Sequence, residues 1–276
     1  MPAVSSSHGV LAYAGKDHVH VFNSGFAYAS RRLVTRDTMR PTGVILLTVD
    51  GEPFTVTIGG RRLCTNAVAL SPNTRRDLDA RGVGLVSINL VPSAKLFPAF
   101  RSIPAPGALV LERSAFRAFD DFLAALHVDG AAIVAAPARF AALVATAVQQ
   151  FPTVSTDARW QLMLASLTQG GCSRSTLQTL ADRLGLSYHR TSHLFSATLG
   201  ITLKSYLAWQ KQMPLYPLLL RGNASLTEIA HAAGLPDSAY LSRLYQRLYG
   251  QRPSFIHDSN LVQASYWDAR YDPRPD

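Results

Sequence analysis

The run from Ser225 to Pro236 reads Ser-Leu-Thr-Glu-Ile-Ala-His-Ala-Ala-Gly-Leu-Pro. Leu226, Ile229, Ala230 and Ala233 stand at i, i+3, i+4 and i+7, which is one face of a helix. Gly234 follows, where a helix ends most cheaply in a left-handed residue. Ser225 and Glu228 have the spacing of a capping box, in which two side chains satisfy otherwise unpaired backbone donors. The pattern also stands 49 residues earlier, between Ser175 and Ser187. There Leu177, Leu180, Ala181 and Leu184 form the face, Gly185 makes the turn, and Ser175 with Gln178 has the box spacing. After each glycine a second helix is expected, plugged onto the first by Leu194-Phe195 or Leu244-Tyr245 and closed by Gly200 or Gly250. The two copies read as two helix-turn-helix units, at about 175–200 and 225–250.

Thr227 to Gly250 reads Thr-Glu-Ile-Ala-His-Ala-Ala-Gly-Leu-Pro-Asp-Ser-Ala-Tyr-Leu-Ser-Arg-Leu-Tyr-Gln-Arg-Leu-Tyr-Gly, and Pro253 follows. This stretch resembles the signature of the AraC/XylS family of transcription regulators. The resemblance covers the last third of the chain. It implies two units joined by a linker helix, each setting a recognition helix in the major groove of double-stranded DNA. It also implies a preceding small cupin-like β-barrel that senses a ligand, and helices that pair two subunits. A homodimer, a small-molecule effector and RNA polymerase are the further partners expected on that footing.

In the first unit the recognition helix is expected from about Tyr188 to Thr198. Leu194, Phe195 and Thr198 then face inward, and His189, Arg190 and His193 face outward with Ser192 nearby. Arginine can pair with guanine O6 and N7, and histidine can donate to a base or a phosphate. The family often has Arg at the position of His193 and Leu at that of Thr191. In the second unit the helix is expected to begin near Asp237 and run to about Tyr249, with Tyr240, Leu244 and Leu248 packed. Ser238, Ser242, Arg243 and Arg247 are the outward candidates, and Ser242-Arg243 matches the family pattern. In the family the second unit often leans on backbone phosphates more than on bases, and the resemblance therefore assigns Arg247 to phosphate, which fixes register, whereas base contacts specify. Against these roles stand solvated or capping histidines and an intrahelical ion pair for Arg243.

Tyr206-Leu207 and Lys211 fit the family's entry to the linker helix, but Pro214 and Pro217 fall inside it. An interior proline removes a hydrogen bond and clashes with the preceding turn, at a cost of about 3 kcal/mol. The helix is expected to stop near Met213 and restart with Pro217 in its first turn. Recognition helices normally lie one DNA turn apart, roughly 34 Å. A broken linker would let that separation vary unless DNA or a ligand fixes the pose.

Composition bounds the rest. The chain has 276 residues, 47% of them hydrophobic and 16% charged, which is ample for packed cores. Net charge is +9. Residues 173–257 hold nine Lys/Arg (174, 183, 190, 204, 211, 221, 243, 247, 252) and three acids (182, 228, 237), hence +6. That excess suits a polyanion. Cys64 and Cys172 form no metal or redox spacing and read as free thiols. No secretion signal is apparent, and Pro137 and Arg139 interrupt the apolar run Ala131 to Val148, so no membrane span is expected and the location is cytoplasmic.

The fold class expected is α+β: an N-terminal small β-barrel with following helices, then an all-α C-terminal domain with two helix-turn-helix units. Residues 1–17 carry little pattern and are expected to fray. Strands are read at His18 to Phe22, Val44 to Val49, Phe54 to Ile58, Ala67 to Leu70 and Leu85 to Leu90, several of them stopped by turn residues such as Asp50-Gly51 and Gly59-Gly60. Helices are read at Glu112 to Leu126, from Pro137 with Phe140, Leu143, Val144 and Ala147 on one face, and at Ala158 to Leu167 capped by Asp157. Thr168 to Ser173 reads as the linker. The domains are therefore 1–169, for effector sensing and dimerisation (barrel about 18–110, helices about 112–167), and 170–276, for DNA binding.

Two features invite other chemistry. His18-Val19-His20 resembles a cupin metal pair, but the usual following Glu is missing, with Asn23 and Ser24 in its place; two exposed strand histidines are the simpler reading. Arg31, Arg32, Arg36, Arg40, Arg75 and Arg76 gather between candidate strands and read as solvated loop arginines or an anion site. No catalytic residues, cofactor or metal ligands are assigned. The competing functions are an interaction module that pairs with another regulator, and a cupin-type metalloenzyme.

Overall fold

The computed structural model describes residues 15–128, 133, 135–153, 159, 162–163, 174–213, 215–221 and 224–267. The helix expected at 158–167, its cap, the 168–173 linker, Cys172 and Pro214 lie mostly or wholly outside them.

Apolar alternation builds the N-terminal half. The strands are β1 (Asp17–Phe22), β2 (Gly25–Thr38), β3 (Gly43–Thr48), β4 (Phe54–Ile58), β5 (Arg61–Thr65), β6 (Ala67–Leu70), β7 (Arg76–Leu90) and β8 (Ala108–Val110). A late strand, β9 (Val262–Tyr266), joins them from the far end of the chain. The order is β8-β6-β3-β7-β2-β1-β9, with β4 paired to β7 and β5 to β4. Two long strands, β2 and β7, form the spine. Leu85 to Leu90 of β7 lies between β2 and β3, whereas Asp77 to Asp79 pairs with β4. The sheet therefore splits around one spine and curls, and its path ends at β8 and β9 without closing on itself.

The apolar runs in β3 and β6 reflect burial on two faces. Ile45, Leu47, Ala67 and Ala69 face one core, and Val44, Leu46, Val68 and Leu70 face a second core with Phe54, Val56, Ile58 and Leu78. Asp17 does not fray: it lies in β1 at 1% exposure, accepting from the Tyr28 hydroxyl at 2.5 Å and facing Arg32. The expected Glu112 to Leu126 helix is a 3₁₀ helix at Arg113–Phe119 followed by α1 (Asp120–Ala125). Arg113 ties its start to the sheet by donating to Thr48 O, and also to Asp120. In α2 (Ala136–Val148) Pro137 sits in the first turn, and Phe140, Leu143, Val144 and Ala147 are buried as the spacing requires.

His18 and His20 correct the sequence reading. They are 6% and 0% exposed, not on an open face, because α1 and the following turn cover β1. His20 Nε2 lies 2.8 Å from Leu126 O. His127, beside them, has its pKa lowered to about 4, first by burial and then by Arg31.

The C-terminal half follows the repeat. It contains α3 (Arg174–Leu184), α4 (Tyr188–Leu199), α5 (Leu203–Gln212), α6 (Leu215–Arg221), α7 (Leu226–Ala232), α8 (Ser238–Tyr249) and α9 (Pro253–His257). The linker helix is broken as expected: α5 ends with Met213 as C-cap, and α6 carries Pro217 in its first turn. Burial divides the two units. Phe195, Leu199, Leu203, Tyr206 and Trp209 continue the core of the sheet and α2. Leu215, Leu219, Ile229, Ala230, Leu241 and Tyr245 form a separate core.

A prediction follows for acid. His127 is neutral when folded down to about pH 4, whereas an unfolded histidine takes its proton near 6.5. Between those values the unfolded state binds more protons, so stability is intact above pH 6.5 and falls as pH drops toward 4. The loss is on the order of 3 kcal/mol at most. In urea unfolding at pH 7.5 and 4.5, His127→Leu should flatten this acid limb; an unchanged slope would assign it to other groups.

Candidate nucleic-acid interface and interdomain cavity

The caps decide which faces of the recognition helices are open. Ser187 caps α4 by accepting from Arg190 N, and Asp237 caps α8 by accepting from Tyr240 N. With the caps aligned, the second helices are offset by 50 residues, one more than the first helices. Thr191 then corresponds to Leu241, His193 to Arg243, and Ala197 to Arg247. The inward stripes are Thr191, Phe195, Thr198 and Leu199 in α4, and Leu241, Leu244, Tyr245 and Leu248 in α8. Thr191 fits its buried site because its hydroxyl donates to Ser187 O, 3.1 Å away.

His189, Arg190, His193, Arg243 and Arg247 are exposed, while Ser192, Ser238 and Ser242 are half-buried. The His189 and His193 rings lie 4.5 Å apart on one face. The Ser242 hydroxyl donates to Ser238 O at 2.9 Å, leaving its oxygen free to accept. Arg243 and Arg247 have no ion pair among the described residues. Leu194 is half-buried and packs against the core that the first unit shares with the sheet, at the position of Leu244 in α8. Tyr240 departs from expectation: it is 42% exposed. It stands where Arg190 stands in α4, on the outward face, and the 50-residue offset was the signal for it.

The capping box is complete in the second unit: Ser225 Oγ accepts from Glu228 N, and the Glu228 carboxylate accepts from Ser225 N. The first unit differs. Its helix begins at Arg174, so Ser175 lies inside it, and Gln178 donates to Asp182 at 3.1 Å.

Both recognition helices lean on the N-terminal half through the same position. Ala197 O accepts from Arg101 Nη1, and Arg247 O accepts from Met39 N at 3.0 Å. The closing glycines lie against the same surfaces. A Cβ on Gly250, whose φ is +72°, would meet Thr35 Cβ at 2.6 Å and Thr38 Cγ2 at 2.9 Å. The second unit is held further by β9, which pairs in parallel with β1, and by Trp267 N donating to Val21 O at 2.8 Å. The C-terminal ends of α4 and α8 are thus docked, and their N-terminal halves are open.

Behind α8 lies a cavity of about 310 Å³. Its walls come from β1 and β2, from α5 and α6 on either side of the linker break, and from α8. Tyr28, Trp209, Tyr216, Tyr245 and Tyr249 line it, and burial raises the pKa of Tyr28, Tyr216, Tyr245 and Tyr249. Arg40 reaches it and is 8% exposed; Arg76 is 2% exposed. These two are not solvated loop arginines, because the docked second unit covers this end of β2. No spacing in the sequence signals this site, since its walls come from residues far apart in the chain. Among the described residues, no group of three or more His, Cys, Asp or Glu is arranged to hold a metal, and no helix is long and apolar enough to cross a membrane.

Comparison with known proteins supports the helical reading. A family model described as a helix-turn-helix domain matches residues 180–257. The virulence regulon transcriptional activator VirF of Yersinia enterocolitica is 26% identical over 132 residues, covering 38% of this chain and 49% of that protein. The thermoregulatory protein LcrF of Yersinia pestis matches with the same identity and coverage. The chain spans about half the length of these curated relatives. The crystal structure of ToxT from Vibrio cholerae superposes with a TM-score of 0.50 at 10% identity, covering 87% of this chain and 98% of that one; this likeness is one of fold.

Docking makes a separable prediction about the turn glycines. Gly250→Ala carries both the left-handed backbone cost of about 1–2 kcal/mol and the clash with Thr35. Gly234→Ala carries only the first, since nothing lies within 4 Å of its Cβ position. Thermal unfolding should show a clearly larger Tm loss for Gly250→Ala, and equal losses would mean that the second unit does not rest on β2.

Proposed function

We propose that this chain, which carries an AraC-type helix-turn-helix domain over residues 180–257, is a sequence-specific DNA-binding transcription regulator. The observation that carries the reading is the repeated geometry of α4 and α8. Each is capped by a side chain, docked by its C-terminal end, and open at its N-terminal half, on a segment of net charge +6 (nine basic minus three acidic residues in 173–257). A recognition helix enters the major groove by its N-terminal residues. His189, Arg190, Ser192 and His193 read one groove segment, and Ser238, Ser242 and Arg243 read the next. Tyr240 joins them on the strength of its match to Arg190. Arg247 holds phosphate.

On this reading residues 1–169 serve sensing and pairing and residues 170–276 serve DNA, with β9 of the second part completing the sheet of the first. The protein acts in the cytoplasm as a homodimer that meets RNA polymerase, and not as an enzyme. The N-terminal half controls DNA binding by fixing the pose of both units. With the linker helix interrupted, the docking of Ala197 and Arg247 supports a fixed separation better than the linker does.

Selection from a random DNA library at stated salt tests this reading, because phosphate contacts make affinity salt-dependent. Two enriched blocks about one helical turn, roughly 34 Å, apart are expected. Arg243→Ala should lose about 1–3 kcal/mol on the selected site and relax one position. Arg247→Ala should weaken all sequences alike and lower the salt slope by about 1. Removing residues 261–276, and with them β9, should broaden the tolerated spacing. No enrichment would favour a module that works by pairing with another regulator, and a spacing optimum unchanged by the truncation would return the role of ruler to the linker.

A further inference from the structure

His189 and His193 stand four residues apart in the open half of α4, so they share one face of the helix. Both are exposed, and their ring centroids lie 4.5 Å apart with the planes at 59°. Among the described residues neither ring takes part in a hydrogen bond or an ion pair. The corresponding positions of α8 carry Ala239 and Arg243, so the repeat itself does not call for the pair.

Two histidines at i and i+4 on one helix face are the arrangement by which helical zinc sites supply two ligands. Two nitrogens on one cation, each at about 2.0–2.1 Å from it, stand roughly 3 Å apart. Rings already 4.5 Å apart reach that spacing by side-chain rotation, without moving the helix. A third protein ligand is lacking: among the described residues no group of three or more His, Cys, Asp or Glu is arranged to hold a metal. Arg190 beside the pair and the positive end of the helix dipole both oppose a bound dication. On the free chain the pair is therefore a weak chelate, completed by water. DNA removes both shortcomings. Its phosphates reverse the sign of the local potential, and guanine N7 on the major-groove edge presents a nitrogen lone pair.

We propose that His189 and His193 supply two ligands to a copper(II) or zinc cation, and that a guanine N7 in the bound major groove supplies the third. Imidazole nitrogen suits both cations, and copper(II) binds such a set more tightly than zinc does. Metal and DNA then favour one another, and by linkage each raises the affinity for the other by the same factor. The DNA segment opposite α4 is thereby biased toward guanine. The role of guanine rests on the function proposed above; the two-histidine chelate does not.

Calorimetric titration of the full chain with copper(II) chloride, near neutral pH, tests the chelate. The parent chain should show a binding step that His189→Gln and His193→Gln each remove completely, because both rings act on one cation. A step that survives in either variant would overturn the chelate. Fluorescence anisotropy then follows a labelled duplex of the selected site, with zinc chloride or with a chelator. Zinc should tighten binding on the order of tenfold, magnesium should not, and both variants should lose the gain whatever their affinity without zinc. Replacing the guanines opposite α4 by 7-deazaguanine, which keeps O6 but has carbon in place of N7, should also remove it. A gain that survives this replacement, a selected block without guanine, or weaker binding with zinc would overturn the guanine ligand. Selective DNA binding without the copper step sinks the metal site and leaves the regulator standing; the copper step without DNA selection does the reverse.

Discussion

The approach of the second recognition helix to β2 governs how the C-terminal half is arranged. Arg247 O needs a donor because the last carbonyls of any helix lack partners within it. Met39 N supplies one, and Gly250 lets the backbone come close enough to make the bond. A side chain at Gly250 would strike Thr35, so the contact depends on a missing Cβ. The first unit uses the same helix position against Arg101. Two units that repeat in sequence thus repeat in how they dock, although the surfaces that receive them are unrelated.

Burial gives the two docked units different standing. The first shares a continuous apolar core with the sheet and α2, so moving it would expose Phe195, Leu199 and Tyr206. The second has its own core and meets the sheet through a backbone hydrogen bond, aromatic contacts and the β9 pairing. Its attachment can change without unpacking its interior. Local openings are drawn from such low-cost interfaces. The interrupted linker between α5 and α6 lies where that change would be accommodated.

Charge points to the same place. Most arginines of β2 and its neighbours are paired: Arg31 with Asp50, Arg32 with Asp17, and Arg36 with Asp77. Of the exceptions, Arg40 lies under the second unit, its guanidinium 5.1 Å over the Tyr249 ring, and Arg76 is buried beside it. Docking covers Arg40 without bringing an acid, and it encloses the aromatic cavity. The cost of that burial therefore falls at the interface that sets the pose of α8.

Much of the C-terminal half was legible because its signals are local. Capping residues, i, i+3, i+4, i+7 spacing and turn glycines act within a few residues, so the sequence alone determined the helices, the turns and the break after Met213. Local reading slipped at Ser175, which lies inside the helix Arg174–Leu184, and at Tyr240, where Leu241 and Tyr245 rather than Tyr240 complete the inward stripe with Leu244 and Leu248. In the N-terminal half the shorter strands were visible, but β2 was hidden by its arginines and β9 by its distance from its partner. The burial of His18, His20, Arg40 and Arg76 was not legible either, because each depends on a segment far away in the chain. Which face of a helix is apolar is written in residues a turn apart; what covers that face, and what charge is trapped beneath it, was decided only when Asp17–Phe22 and Val262–Tyr266 met as neighbouring strands.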